Sequence, residues 1–530
     1  MIRRPSRPVV AALLSVALLA LVVRPVPQGL YSDPAWQLIG VEQFLSGAAP
    51  TPNTAAKPAS VDFSTDQFDW VTWWAPGTPL LALAPMTLGL SIGATLRGLA
   101  LVCLIAGAIG WTLWISSFDL PPGVTIAIAL LLPWMRYASS GAFQFSAETL
   151  VFGAAPWPLL AALRAGRDPS RTMTAVSAAA VGAIAGVVYW LKYSWALAAV
   201  GVIAWFVWRR AKSKQARIAA MAGALVPIVA LSLLNIALAG HANLVTAAIA
   251  IRVAPVVWLA GVGAPSVMWF DLEALLRYVL FDPSTPWLRE TWWPLLAGLP
   301  AAFWLWARVK HARVGDAGEL AMAVWLSSVL FAILTWTLSR VSVECRHVAT
   351  AGLATMPLVV SVALRDLRSR DRARKLASAA VLIVYIIVPA IYGVASVFAK
   401  SYRVPAGYQT GPAGIYNPLL SDRNLAACRE ALVGIFDRAH DTWYATDPVT
   451  ALDLPGRAIV THADFESIAE LTTTYRTSRA GRVLALLPAT FEANGKGVTI
   501  RGSFPQAQGW ARVVVPCAPQ LWIATLDAGR

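Results

Sequence analysis

The stretch GLYSDPAWQLIGVEQFLSG, residues 29–47, follows an apolar run at residues 9–23 and indicates how the chain is organised. It places Asp33 where a membrane helix would meet water. Carboxylates are costly at membrane depth and are typical of ion pairs or chemistry when they occur there. No A-x-A cleavage site precedes Asp33, so we interpret residues 9–23 as an uncleaved first membrane helix rather than a signal peptide.

The composition is that of a polytopic membrane protein. Of the 530 residues, 57% are hydrophobic and only 13% are charged, against about 25% charged residues in soluble proteins. The net charge of +15 comes largely from basic clusters between apolar runs, which indicates membrane topology rather than nucleic-acid binding. We find no nucleotide-binding glycine loop, and this argues against an ATP-driven pump.

The basic clusters predict the topology. We place all five in the cytoplasm by the positive-inside rule, which requires an even number of crossings between successive clusters. They lie at residues 3–7, 164–171, 209–217, 308–313 and 365–375. The result is about 11 transmembrane helices with a cytoplasmic N-terminus. The predicted spans are 9–24, 94–116, 121–136, 147–163, 173–190, 194–208, 218–239, 291–307, 319–338, 348–364 and 377–398.

This threading divides the chain into a transmembrane domain at 1–400 and a small soluble α/β domain at 401–530, outside the cytoplasm. It places a first outside loop at about 25–93 and a second at about 240–290. Residues 77–92 are short and contain two prolines, so we interpret them as a helix at the membrane interface.

The C-terminal domain has local signals of its own. Residues 456–475 predict a strand, a loop and a helix, and residues 495–504 and 511–517 predict later strands. Cys428 and Cys517 both lie here. A disulfide between them requires an oxidising compartment, and the sequence leaves open whether they pair.

Ionisable residues outside the basic clusters gather on the outer side of this threading. Asp33 follows the first span, Glu148 begins the fourth, and Lys192 lies in the short turn YWLKYSW. The turn LSRVSVECRH, residues 338–347, adds Arg340, Glu344, Arg346 and His347. Arginine and lysine bind phosphate, and a carboxylate accepts a hydroxyl proton. This set therefore predicts a site for a lipid phosphate beside a proton acceptor.

The order of these features resembles the GT-C superfamily of membrane glycosyltransferases, which includes the protein mannosyltransferases and the aminoarabinose transferases. The resemblance rests on YSDPAWQLIGVEQFLSG after the first span, the aromatic and proline segment WWAPGTPLLALAP, FSAETLVFG with Glu148, and VECRHVATAGLATMPL. It covers roughly residues 9–400. There is one departure, because Pro34 follows Asp33 where many relatives carry a second acid.

The resemblance implies a GT-C-like fold and a transferase that uses a polyprenyl-phosphate sugar at the outer face of the cytoplasmic membrane. Asp33 would be the general base, and Glu148 would orient the acceptor or assist a metal. Lys192, Arg340 and Arg346 would hold the phosphate, and His347 would bind sugar or phosphate. The acceptor is a glycan, a lipid or a protein. The cofactor is unknown; Asp33 and Glu148 are the candidate ligands of a divalent metal cation.

Two other classes of function compete with this interpretation. A secondary transporter or lipid flippase should carry ionisable groups or broken helices near the bilayer midplane, in two related halves. A non-catalytic assembly protein could keep the same scaffold and bind a partner through residues 401–530. The one-sided distribution of acids and loops favours the transferase.

Overall fold

A computed structural model shows a mostly helical chain. The structure describes residues 6–59, 62–166, 173–243, 251, 255–276, 294–310, 314–338, 344–402, 410–411, 413–417, 425–454, 456–461, 463–464, 466–477 and 480–527.

Helices account for most of the first 402 residues. The first eleven are α1 (Arg7–Val23), α2 (Ser32–Leu45), α3 (Gly77–Thr87), α4 (Ile92–Ile115), α5 (Pro122–Leu131), α6 (Arg136–Phe143), α7 (Ala147–Ala154), α8 (Pro156–Arg164), α9 (Ala175–Val187), α10 (Ala196–Arg209) and α11 (Lys214–Ala239). They are followed by α12 (Pro255–Val267), α13 (Leu272–Leu275), α14 (Leu299–Val309), α15 (Gly315–Leu338), α16 (Ala349–Leu367), α17 (Arg372–Leu382) and α18 (Val388–Tyr402).

Six helices in the described ranges are long and apolar enough to cross a membrane. They are Ile92–Ile115, Pro122–Phe143, Lys214–Ala239, Gly315–Leu338, Cys345–Leu367 and Arg372–Lys400. Shorter apolar helices coincide with four more of the predicted spans: Arg7–Val23, Ala175–Trp190, Tyr193–Arg209 and Pro294–Val309. The predicted span at 147–163 consists of α7 and α8. The total of about 11 spans stays a prediction.

Helix α3 occupies the stretch that we assigned to the membrane interface. Its 11 residues extend for about 16 Å at 1.5 Å per residue, too short for a hydrocarbon core of about 30 Å. It packs against α2 and α4. The predicted second outside loop, in contrast, contains a helix that the sequence analysis missed. This helix, α12, has 13 residues and packs against α15.

The strands in the described residues form three sheets. They are β1 (Gln28–Leu30), β2 (Thr54–Ala59), β3 (Asp62–Trp70), β4 (Gln144–Phe145), β5 (Ile415–Tyr416), β6 (Asp441–Ala445), β7 (Ala458–Val460), β8 (Gly481–Leu487), β9 (Ala507–Val513) and β10 (Gln520–Leu526). The small sheet has the order β4-β1-β5, and β2 pairs with β3 as a hairpin. The large sheet has the order β7-β6-β8-β10-β9, with parallel pairs around β6 and antiparallel pairs around β10.

Four helices accompany the large sheet: α19 (Leu425–Ile435), α20 (Pro448–Ala451), α21 (Ala489–Ala493) and α22 (Lys496–Gly502). Cys428 and Cys517 form a disulfide in this region. The strand predicted at 495–504 is wrong, because most of this stretch forms α22. Gly497 and Ile500 are the buried residues of that helix, a spacing of one helical turn that the alternation in GVTIRG obscures. The helix expected after Asp464 is only a short 3₁₀ turn, Ile468–Glu470.

The first loop and the C-terminal region pack against each other. Phe63, in β3, is buried among residues of the large sheet, with its ring 6.0 Å from that of Phe504 in an edge-to-face contact. Val449 and Leu452 pack in one hydrophobic cluster with Leu38 of α2. These contacts tie the helix that begins beside Asp33 to residues more than four hundred positions later in the chain.

Candidate active site

Two short parallel strands bring distant parts of the chain together. Strand β1 pairs with β4, with Gly29 opposite Gln144 and Leu30 opposite Phe145. Gly29 is required by the close approach, since a Cβ atom there would lie 2.6 Å from the carbonyl oxygen of Phe143. The buried strand β1 ends at Leu30, and its pairing with β4 fixes where α2 begins at Ser32.

A helix starts directly after each of these strands and carries an acid in its first turn. Asp33 is the second residue of α2, and Glu148 is the second residue of α7. Unpaired N–H groups and the helix dipole favour negative charge at this end of a helix. The parallel pairing thus places both acids at the same end of the bundle.

Two cations share one oxygen of Glu148. Lys192 Nζ forms an ion pair with Glu148 Oε1, and Arg346 Nη1 lies 3.8 Å from the same oxygen. The side chains of Glu148 and Lys192 are only 10% and 14% exposed. Water therefore screens this interaction far less than it screens a surface ion pair.

The turn that carries Lys192 is fixed by a close contact with α3. The backbone amides of Leu191 and Lys192 both donate to the carbonyl of Val188, at 3.0 and 3.2 Å. Gly77 begins α3, and a Cβ atom on it would lie 2.7 Å from the carbonyl oxygen of Trp190. Helix α3, the predicted interfacial helix, thus packs against the backbone just before Lys192 and holds the turn in place.

Arg346 is held by the 3₁₀ turn Cys345–Val348, which precedes α16. Its Nε atom pairs with the carboxylate of Glu344. The backbone amide of His347 donates to the carbonyl of Glu344 at 3.1 Å, which closes the turn. The other predicted phosphate ligand, Arg340, lies outside the described residues.

Asp33 stands beside this group of charges and is half-buried. Burial raises the pKa of its carboxyl, and nearby Arg346 partly opposes the shift. Glu148 and Glu344 raise the pKa further, and Lys192 lowers it. Asp33 therefore has a stronger affinity for a proton than a solvated aspartate, which suits a general base.

A pocket lies next to the cations. Lys192, Arg346 and His347 line it together with Tyr137, Trp195 and small side chains, namely Ser194, Ala198, Ser328 and Ala351. The lining therefore combines positively charged side chains with apolar ones. Two cations at this position can bind an anionic group.

Comparison with known proteins identifies the fold. No protein-family model matches the chain, and no curated protein is similar to it in sequence. Among solved structures, it is similar to ArnT from Cupriavidus metallidurans bound to undecaprenyl phosphate, with a TM-score of 0.50 and 13% identity over 98% of both chains. This chain has the fold of ArnT. The apo form of the same ArnT matches with a TM-score of 0.49 and 13% identity, over 97% of this chain and 98% of ArnT.

The ArnT fold confirms the sequence-based resemblance at the level of architecture. ArnT is an aminoarabinose transferase of the GT-C type, the group that the order of short motifs indicated. The likeness and the apolar helices together support a multi-pass membrane protein.

Within the ArnT fold, the structure brings together five of the six predicted site residues: Asp33, Glu148, Lys192, Arg346 and His347. It adds Glu344, which the sequence analysis placed nearby without assigning a role. It also adds Tyr137, whose side chain hydrogen-bonds with Thr350. Tyr137 lies within the apolar segment Pro122–Phe143, and no local sequence signal distinguished it from the aromatic residues that are common near membrane interfaces.

The predicted metal ligands do not form a ready cation site. In the described part of the chain, no three His, Cys, Asp or Glu side chains are grouped so that they could hold a metal ion. The negative charge of Glu148 is already opposed by Lys192 and Arg346. As arranged, this donor set does not fit a divalent metal.

Proposed function

We propose that this protein is a glycosyltransferase that moves a sugar from a polyprenyl-phosphate donor to an acceptor at the outer face of the cytoplasmic membrane. The observation that carries the proposal is the placement of Lys192 and Arg346 beside Asp33, at the edge of a pocket. The likeness to an ArnT structure that contains undecaprenyl phosphate supports a carrier lipid of this class.

The proposed reaction gives roles to Asp33, Lys192 and Arg346. Asp33 takes the proton of the acceptor hydroxyl as the acceptor oxygen forms a bond to the anomeric carbon of the sugar. The bond between that carbon and the phosphate oxygen breaks, and its electron pair stays on the phosphate. Lys192 and Arg346 stabilise the charge that develops on the leaving polyprenyl phosphate.

The remaining predicted residues have supporting roles in this proposal. His347 lines the same pocket and would contact the phosphate or the sugar. Arg340 lies six positions before Arg346 in the sequence and would add a third cation for the phosphate. The acceptor is a glycan, a lipid or a protein, and residues 401–530 would lie outside the cytoplasm, where they could help to receive it.

The test is sugar transfer in proteoliposomes from a panel of radiolabelled polyprenyl-phosphate sugars. The wild type is compared with Asp33→Asn and with Asp69→Asn, a matched control in the hairpin of the first loop. We expect transfer by the wild type and the control and a loss of about 10²–10⁴-fold in Asp33→Asn, the usual contribution of a general base. Undiminished transfer by Asp33→Asn would refute the assigned base.

The same experiment separates the competing classes. A flippase or transporter would move the lipid or sugar across the bilayer without forming a glycosidic bond. A non-catalytic assembly protein would do neither, and the proline after Asp33 is the feature that favours this class. Binding without transfer from any donor would count against the enzyme.

A further inference from the structure

Glu148 is paired with Lys192 and Arg346, the cations proposed to bind the donor phosphate. Its Oε1 atom accepts from Lys192 Nζ and faces Arg346 Nη1 at 3.8 Å. Lys192 and Arg346 also line the pocket. An internal carboxylate is thus already paired with cations that an anionic ligand in the pocket would meet.

The carboxylates around Lys192 and Arg346 outnumber these two cations. Among the described side chains of the site, Asp33, Glu148 and Glu344 carry three negative charges when ionised, and Lys192 and Arg346 carry two positive charges. A phosphodiester donor adds one more negative charge, and the leaving phosphate adds a further one. An unpaired charge in a largely buried site is costly, so an incoming phosphate competes with Glu148 for Lys192 and Arg346.

We propose that Glu148 is a resident counter-anion of Lys192 and Arg346, and that the phosphate of the polyprenyl donor displaces it. This inference rests on the proposed function and gives Glu148 a role different from acceptor binding or metal binding. Arg346 keeps its position during the exchange because Glu344 binds its Nε atom independently. Glu148 remains at the N-terminus of α7, where the helix dipole continues to favour its charge.

The displacement also acts on Asp33. In the present arrangement Lys192 and Arg346 stabilise its negative charge. A phosphate that takes over these cations offsets their effect, and Asp33 then attracts a proton more strongly. The base thus becomes stronger when the donor is bound and the acceptor hydroxyl must lose its proton.

The test measures binding of undecaprenyl phosphate to the full-length protein in nanodiscs, separately from transfer. We expect Glu148→Gln to bind at least about fivefold more tightly than the wild type, the lower end of typical coupling between sites, because no carboxylate competes for the cations. Turnover should not rise in parallel. Glu344→Gln is the matched control and should tighten binding less, since Glu344 pairs with Arg346 but not with Lys192.

Glu148→Gln removes the carboxylate that pairs with the largely buried Lys192, and the variant could fail to fold for that reason. A second pair of variants tests the inference in that case. The double variant Glu148→Gln/Lys192→Met should bind undecaprenyl phosphate more tightly than Lys192→Met alone. Equal or weaker binding in either comparison would overturn the inference while leaving the transferase in place. No binding by the wild type, together with no transfer, would remove the proposed function itself.

Discussion

Asp33 and Glu148 occupy equivalent positions in two parallel strand–helix units. Each lies three residues beyond a member of one strand pair, Leu30 for Asp33 and Phe145 for Glu148. Each is the second residue of the helix that follows. Their environments nevertheless differ, because Glu148 pairs with Lys192 whereas Asp33 is only near the cations. The same backbone geometry thus supplies one paired acid and one acid available for proton transfer.

The strand pair itself should control activity. We expect Gly29→Ala to reduce transfer by about 10²-fold, the typical cost of misplacing a catalytic group by about 1 Å, because its Cβ atom would press on the carbonyl of Phe143. Transfer assays at equal folded amounts test this. Gly98→Ala, whose Cβ atom meets nothing within 4 Å, is the control. Full activity in Gly29→Ala would show that the strand spacing does not position the acids.

Arg346 should not be replaceable by lysine. Its Nε and Nη1 atoms contact two different carboxylates, Glu344 and Glu148, and a single ammonium group lacks this planar fork. We expect Arg346→Lys to lower transfer by about tenfold or more, equivalent to about 1.4 kcal/mol. Arg209→Lys, at an exposed ion pair with Glu319, should behave as the wild type. Equal activity of both variants would contradict the assigned role.

Transfer should be lost on acidification at a higher pH than an ordinary aspartate would predict. A general base must be deprotonated, and burial raises the pKa of Asp33 above its usual value of about 3.9. Activity therefore falls as the pH drops through this raised pKa. In Glu344→Gln the acid limb of kcat/KM should move to lower pH, because Glu344 raises the Asp33 pKa. A shift in the opposite direction would argue against Asp33 as the titrating group.

The disulfide gives a test of topology. Cys428 and Cys517 are bonded across a separation of 89 residues, and such bonds persist outside the reducing cytoplasm. We expect a maleimide to label them in denatured protein only after reduction, whereas Cys103 and Cys345, which lie outside the disulfide, label either way. Cys428→Ser should destabilise the C-terminal region by about 2–4 kcal/mol. Labelling of all four cysteines without reduction would place this region in the cytoplasm.

Much of the membrane architecture follows from local patterns. Apolar length marks Ile92–Ile115 and Gly315–Leu338 as membrane helices regardless of what they pack against, because hydrocarbon imposes its thickness on every span. Patterning was less reliable beyond residue 400. There, residues 495–504 alternate like a strand, yet most of them form α22.

The sequence by itself determined that the chain is a membrane protein, and its order of short motifs indicated the GT-C-like fold and the acids and cations of the candidate site. Only the tertiary structure decided which charges meet: that Lys192 and Arg346 share Glu148, and that Asp33 stands beside them. The physical reason is one of range. Hydropathy and helix signals act over a few turns of chain, whereas an ion pair depends on how separate helices pack, and no local pattern records that.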